Sequence, residues 1–84
     1  MKVYVLTETT KYNDDYKSEI IGVYSNYDSV SNKLYGKIEE YIGIFQKEQI
    51  LRTFARFYEN NGNYILILFI EKNLTYKPIS PVND

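Results

Sequence analysis

Apolar positions along this chain switch between a two-residue period and a three-to-four-residue period, and each switch predicts a new element. Residues 2 to 9, Lys-Val-Tyr-Val-Leu-Thr-Glu-Thr, are β-branched and aromatic with no Gly or Pro, which favours a strand over a helix. The polar run from Lys11 to Lys17 interrupts the pattern, and Ile20-Ile21-Gly22-Val23-Tyr24 resumes it. A hairpin with Asp14 and Asp15 at a solvated tip is the simplest connection. Ser25 is followed three residues later by Asp28, a capping-box-like start of a helix. Val30, Leu34, Ile38, Tyr41 or Ile42, and Phe45 then draw one apolar stripe, so a helix is expected from about Asn26 to Ile42. Gly43 stands where a left-handed C-terminal cap would place a glycine, and Gly36 lies inside, at a cost of up to ~1 kcal/mol relative to alanine.

Asn60-Asn61-Gly62-Asn63 carries the strongest local signal, since Asn-Gly tolerates the positive φ angles of a type I′ turn between two β-rich runs. With Asn61 and Gly62 as the loop, Tyr58 falls opposite Ile65, Phe57 opposite Leu66, Phe54 opposite Phe69 and Arg52 opposite Glu71. This predicts a strand from about Gln49 to Glu59, with a second helix over residues 44–58 as the competing reading. Residues 64–70, Tyr-Ile-Leu-Ile-Leu-Phe-Ile, have no polar alternation, so that strand should be interior to the sheet. Pro78 and Pro81 end the ordered pattern. The expected fold is α+β in the order β-β-α-β-β: a four-stranded antiparallel sheet with one main helix on one face. Residues 1–76 form the domain and 77–84 a flexible C-terminal tail.

One helix covers one face of a sheet. Leu51, Thr53, Ala55, Phe57, Leu66, Leu68 and Ile70 are assigned to the helix side, together with Val3, Val5, Ile21 and Val23. The opposite side receives Ile50, Arg52, Phe54, Arg56, Tyr58, Ile65, Ile67 and Phe69, with Tyr4, Leu6, Ile20 and Tyr24. Leaving Phe54, Ile65, Ile67 and Phe69 in water forgoes on the order of 6–12 kcal/mol of burial, comparable to the whole stability of a small domain. Aromatic groups beside arginine match the centre of a protein interface. The candidate partner-binding residues are therefore Arg52, Phe54, Arg56, Tyr58, Phe69, Tyr4 and Tyr24.

Composition narrows the chemistry. The 84 residues include no Cys and no His, which removes disulfides, Cys/His metal sites and histidine-based triads. Ten Lys and Arg against eleven Asp and Glu leave a net charge of -1, too balanced for binding driven by the phosphate backbone of nucleic acids. Asp14 and Asp15 lack the alternating oxygen ligands of a calcium loop. Glu39 and Glu40 diverge by about 100° around the helix and cannot converge as a catalytic dyad. The glycines are too dispersed for a phosphate-cradling loop. No cofactor, no metal and no enzymatic activity are expected. Lys47, Arg52 and Arg56 with Phe54, Tyr58 and Phe69 imitate a base-stacking platform, but the ribonucleoprotein consensus is missing, so single-stranded nucleic acid ranks below a protein partner.

The opening is too short in apolar residues for a signal peptide or a membrane span, which suggests the cytoplasm and no membrane partner; the Asn73-Leu74-Thr75 sequon is then a chance match. Forty-one residues are Phe, Tyr, Met, Ile, Asn or Lys, against nine Gly, Ala, Arg or Pro, a bias of A/T-rich codons that also accounts for part of the tyrosine excess. The segments Met1-Lys2-Val3-Tyr4-Val5-Leu6-Thr7 and Ile20-Ile21-Gly22-Val23-Tyr24-Ser25, followed by a helix, resemble small phage- and prophage-encoded domains of low-GC Gram-positive bacteria. That resemblance implies a host-protein inhibitor, including one acting on bacterial defence. The expected function is a non-enzymatic module binding a host protein through the outer sheet face, with a self-assembling homodimer on that face as the alternative.

Overall fold

The computed structural model describes residues 2–59 and 64–73. The Asn61-Gly62 loop and the 77–84 tail lie outside the described residues. The elements are β1 (Val3–Tyr12), β2 (Asp15–Tyr24), α1 (Tyr27–Ile42), β3 (Gln46–Leu51), β4 (Phe54–Tyr58) and β5 (Tyr64–Asn73). They build an α+β fold in which α1, the one helix among the described residues, lies on an antiparallel sheet of order β2-β1-β5-β4-β3. The sheet has five strands among the described residues, one more than expected.

The extra strand arises where one strand was expected from Gln49 to Glu59. Arg52 and Thr53 instead form a tight turn that brings Leu51 opposite Phe54. Neither residue is a turn former, and distant partners hold them. The Ile70 N–H donates to the Thr53 carbonyl at 2.8 Å. The Tyr27 hydroxyl donates to the Arg52 carbonyl at 3.0 Å. Residues 46–58 are therefore a hairpin, and the second-helix reading is excluded. Register from Phe54 to Tyr58 is the expected one: Tyr58–Ile65, Phe57–Leu66 and Phe54–Phe69. The Arg52–Glu71 cross-strand pair does not form, because Arg52 has left the strand for the turn.

The first hairpin is longer than its apolar runs suggest. β1 and β2 pair out to Tyr12–Asp15, closed by Asn13 and Asp14, with Asn13 at φ 55°. Asparagine accepts a positive φ at lower cost than most residues; Asp14 does not share it, so the loop has the single positive φ at its first position that marks a II′-like rather than a I′ turn. A bulge falls at Ile21, between the pairs Leu6–Gly22 and Thr7–Ile20. It puts Ile20 and Tyr24 on opposite faces although they are an even number of residues apart.

Helix α1 starts one residue later than expected and is capped by Asn26, not Ser25. The Asn26 side chain accepts from the Ser29 N–H at 2.9 Å, satisfying one of the free donors of the first turn. At the other end Gly43 is right-handed (φ -76°) rather than left-handed. The Phe45 N–H donates to the Tyr41 carbonyl at 2.8 Å, and the chain swings Phe45 onto Tyr64, ring centroids 5.4 Å apart and stacked. No neighbour crowds Gly36.

The core lies between α1 and the sheet. Val30, Leu34 and Ile38 of α1 meet Leu6, Tyr24, Ala55, Phe57, Leu66 and Leu68. The Val30, Leu34 and Ile38 stripe is the one read from helical spacing. Facing of the first hairpin is the reverse of the expectation at Val3, Tyr4, Val5, Leu6, Val23 and Tyr24, while Ile20 is on the outer side and Ile21 packs toward the helix as expected. Leu6 and Tyr24 are buried against the helix, with Tyr4 packed beside them, while Val3, Val5 and Val23 form a separate buried cluster. Strand alternation puts that cluster on the other side of the sheet. Ile50 also moves to the helix side, opposite Ala55, and Leu51 moves off it, because the Arg52-Thr53 turn resets the alternation.

Candidate protein-binding face

Period-two alternation and the observed registers place Glu71, Val5 and Val23 in an end row of the sheet face away from α1, followed by three rows that cross all five strands. One cross-strand row runs Leu51, Phe54, Phe69, Thr7, Ile20; the next Gln49, Arg56, Ile67, Thr9, Ser18; the third Gln46, Tyr58, Ile65, Lys11, Tyr16. Each row crosses five strands and so spans about 19 Å. Phe54, Arg56, Tyr58, Ile65, Ile67 and Phe69 are half-buried, and Leu51 and Ile20 are exposed. These groups are thus already partly out of water, and the unrealised burial is smaller than a bare face would carry.

Four of the seven residues singled out from the sequence, Phe54, Arg56, Tyr58 and Phe69, share this face. Tyr4, Tyr24 and Arg52 do not. Tyr24 is in the core. Tyr4 and Arg52 meet the start of the helix through Tyr27: the Tyr4 and Tyr27 rings are edge to face at 6.0 Å, and the Arg52 guanidinium lies 5.6 Å over Tyr27. Lys47, opposite Phe57, also falls on the helix side, so Arg56 is the one member of the anticipated basic cluster on the aromatic face.

Sequence reading missed Lys11 as a member of the outer face. A shallow depression of about 150 Å³ is lined by Thr9, Lys11, Tyr16, Arg56, Ile65 and Ile67. Its walls hold two cations and no carboxylate. Lys11 Nζ sits 5.3 Å over the Tyr16 ring, and the Thr9 and Ser18 hydroxyls are 2.8 Å apart. Such a surface favours carbonyls or carboxylates placed beside apolar groups. The hairpin tip at Asn13-Asp14, once located, would have put Lys11 beside Tyr16 from sequence alone.

A second depression, about 200 Å³, lies on the helix side, lined by Glu8, Thr10, Lys17, Glu19 and Tyr64. Glu8 and Glu19 are directly opposite each other in the hairpin. The Tyr41 hydroxyl donates a short hydrogen bond to Glu8. Burial first, then this hydrogen bond and the Glu8 charge, raise the Tyr41 phenol well above its ordinary range. The folded state therefore holds the proton more tightly than the unfolded chain, whose tyrosines titrate near about pH 10. Stability from this contact is fully present below about pH 10 and is lost as pH rises further. Tyr41→Phe should cost about 1–2 kcal/mol at neutral pH. The cost should shrink in strong alkali. Urea titrations of both proteins at neutral and alkaline pH check this, and an equal difference at the two would show that the phenol is not engaged.

Among the described residues no cluster of acidic side chains is arranged to hold a metal ion, and no helix is long and apolar enough to cross a membrane. Comparison of the chain with protein-family models, with characterised proteins and with solved structures finds no match.

Proposed function

We propose that this chain is a non-enzymatic protein-binding module that acts through the outer sheet face. The observation that carries the reading is the Phe54–Phe69 cross-strand pair, continued by Ile67 and Ile65 and bordered by Arg56 and Lys11. Half-buried aromatic groups beside cations, with no carboxylate in the three rows, have the chemistry of interface anchors. The partner is a bacterial host protein and the module a phage-derived inhibitor or modulator of it; this finer statement rests on the resemblance of the opening segments. A partner surface with acidic groups around an apolar patch is the best complement.

Affinity capture from a Gram-positive lysate, comparing the native chain with Phe54→Ser and Phe69→Ser, tests the reading. A protein retained by the native chain and released by either substitution, at a loss of roughly 30-fold or more in affinity, is expected for a central anchor. Circular dichroism should show both variants folded. A retained set indifferent to both substitutions overturns the proposal. Self-association lost in the same variants would give this face to a homodimer, and salt-sensitive binding of a single-stranded oligonucleotide would give it to nucleic acid.

A further inference from the structure

We propose that β2 is a self-pairing edge, along which two copies of this chain join antiparallel over Asp15–Ile21 about a two-fold axis at Ser18. The surface is distinct from the outer-face centre, and the inference stands without that reading.

Among the described residues β2 is the last strand of the sheet, and one side of its backbone has no strand neighbour there. In a hairpin with a two-residue loop the closing pair, here Tyr12–Asp15, exchanges hydrogen bonds, and every second pair beyond it does the same. The backbone groups of Tyr16, Ser18 and Ile20 therefore point away from β1. The 2.8 Å contact between the Thr9 and Ser18 hydroxyls fits the closer side-chain approach of a non-hydrogen-bonded pair.

The residues around Ser18 are complementary to themselves. With Ser18 opposite Ser18 of a second copy, Lys17 faces Glu19 of that copy and Glu19 faces its Lys17, both on the helix side. Tyr16 faces Ile20 and Ile20 faces Tyr16 on the outer side, where they are 70% and 62% exposed in the single chain. Opposite charges and apolar groups placed directly across from one another stabilise a sheet, and like charges oppose it. A shift of the axis to residue 17 would set Lys17 against Lys17, and a shift to residue 19 would set Glu19 against Glu19. The charges thus specify one register among the neighbouring symmetric ones.

Within one chain Glu19 is directly opposite Glu8, an unfavourable arrangement that Lys17 of the second copy would offset from the other side. The bulge at Ile21 ends the run at its far end. The opposite edge is less suited: β3 has six residues and is interrupted by its own bulge between Lys47 and Gln49. An axis normal to the sheet keeps both helices on one side and makes the two outer faces continuous.

Sedimentation velocity from low micromolar to submillimolar concentration reads the dimer. Lys17→Glu and Glu19→Lys should each weaken it by roughly tenfold or more, because each sets like charges across the axis twice. An equimolar mixture of the two variants should restore a heterodimer, and the double variant should restore the homodimer. Circular dichroism of each variant monitors the fold. A native chain that stays monomeric to submillimolar concentration overturns the proposal. So does a dimer unchanged by both reversals, a mixture that fails to pair, or a dimer dissolved by Phe54→Ser.

Discussion

Phe57→Ala is expected to lower the unfolding free energy by about 3–5 kcal/mol, the range for removing a buried aromatic ring from a core that relaxes only in part. Phe57 is fully buried, with 0% of its surface exposed. It lies on β4, between β3 and β5, with Leu66 directly across. Its ring meets Tyr41 of α1 edge to face at 6.0 Å. One side chain thus ties the helix to the second hairpin, and its loss opens a cavity under both. For a domain of this size the melting temperature should fall on the order of 15–30 °C. Phe54→Ala, on the half-buried outer face of the same strand, should cost less than half as much. Thermal and urea unfolding of both variants make the comparison. Equal losses would mean that the two faces of β4 are buried alike, contrary to the packing described above.

The second large effect is expected at Gly22. A Cβ added there would lie 2.6 Å from the Tyr24 hydroxyl oxygen and 2.7 Å from its Cε2. Tyr24 is two residues along the same strand face, and its ring lies across the glycine. Because that ring is packed with Leu6, Val30 and Leu34 in the core cluster, it cannot swing away without disturbing its neighbours. Gly22→Ala should therefore cost about 1–3 kcal/mol through overpacking, although alanine is a better residue than glycine for a strand. Tyr24→Ala in the same background should absorb most of that penalty, giving a coupling energy in a double-mutant cycle. Additive losses would separate Gly22 from the ring.

The α+β class, the helix and the pairing of β4 with β5 were legible because each rests on local chemistry that nothing distant contradicts. Val30, Leu34 and Ile38 keep helical spacing, and the register expected from the Asn-Gly dipeptide is the one in which β4 and β5 pair. Phe54, Arg56, Tyr58 and Phe69 follow from that register by parity alone. What stayed hidden depends on distant partners or on equivocal parity. The Arg52-Thr53 turn has no glycine, proline or asparagine and is held by Tyr27 and Ile70. In β1 the run Val3-Tyr4-Val5-Leu6 is apolar at every position, so alternation does not say which side meets the helix. The bulge at Ile21 then shifts the phase of β2, so that alternation read from Ile20 puts Tyr24 on the outer side although its ring faces the helix.

The central seam of the sheet joins β1 to β5, the earliest and the latest of the described strands. During synthesis this seam closes late. Before Tyr64–Asn73 has left the ribosome, the chain holds two separate hairpins and a helix whose sheet is only half built. Making the 61 residues between the end of β1 at Tyr12 and the end of β5 at Asn73 takes on the order of several seconds, and for that time β1 offers an open border on its β5 side. A long-range closure of this kind is slow relative to hairpin formation. The interval before it is when the nascent protein most needs shielding by cellular chaperones.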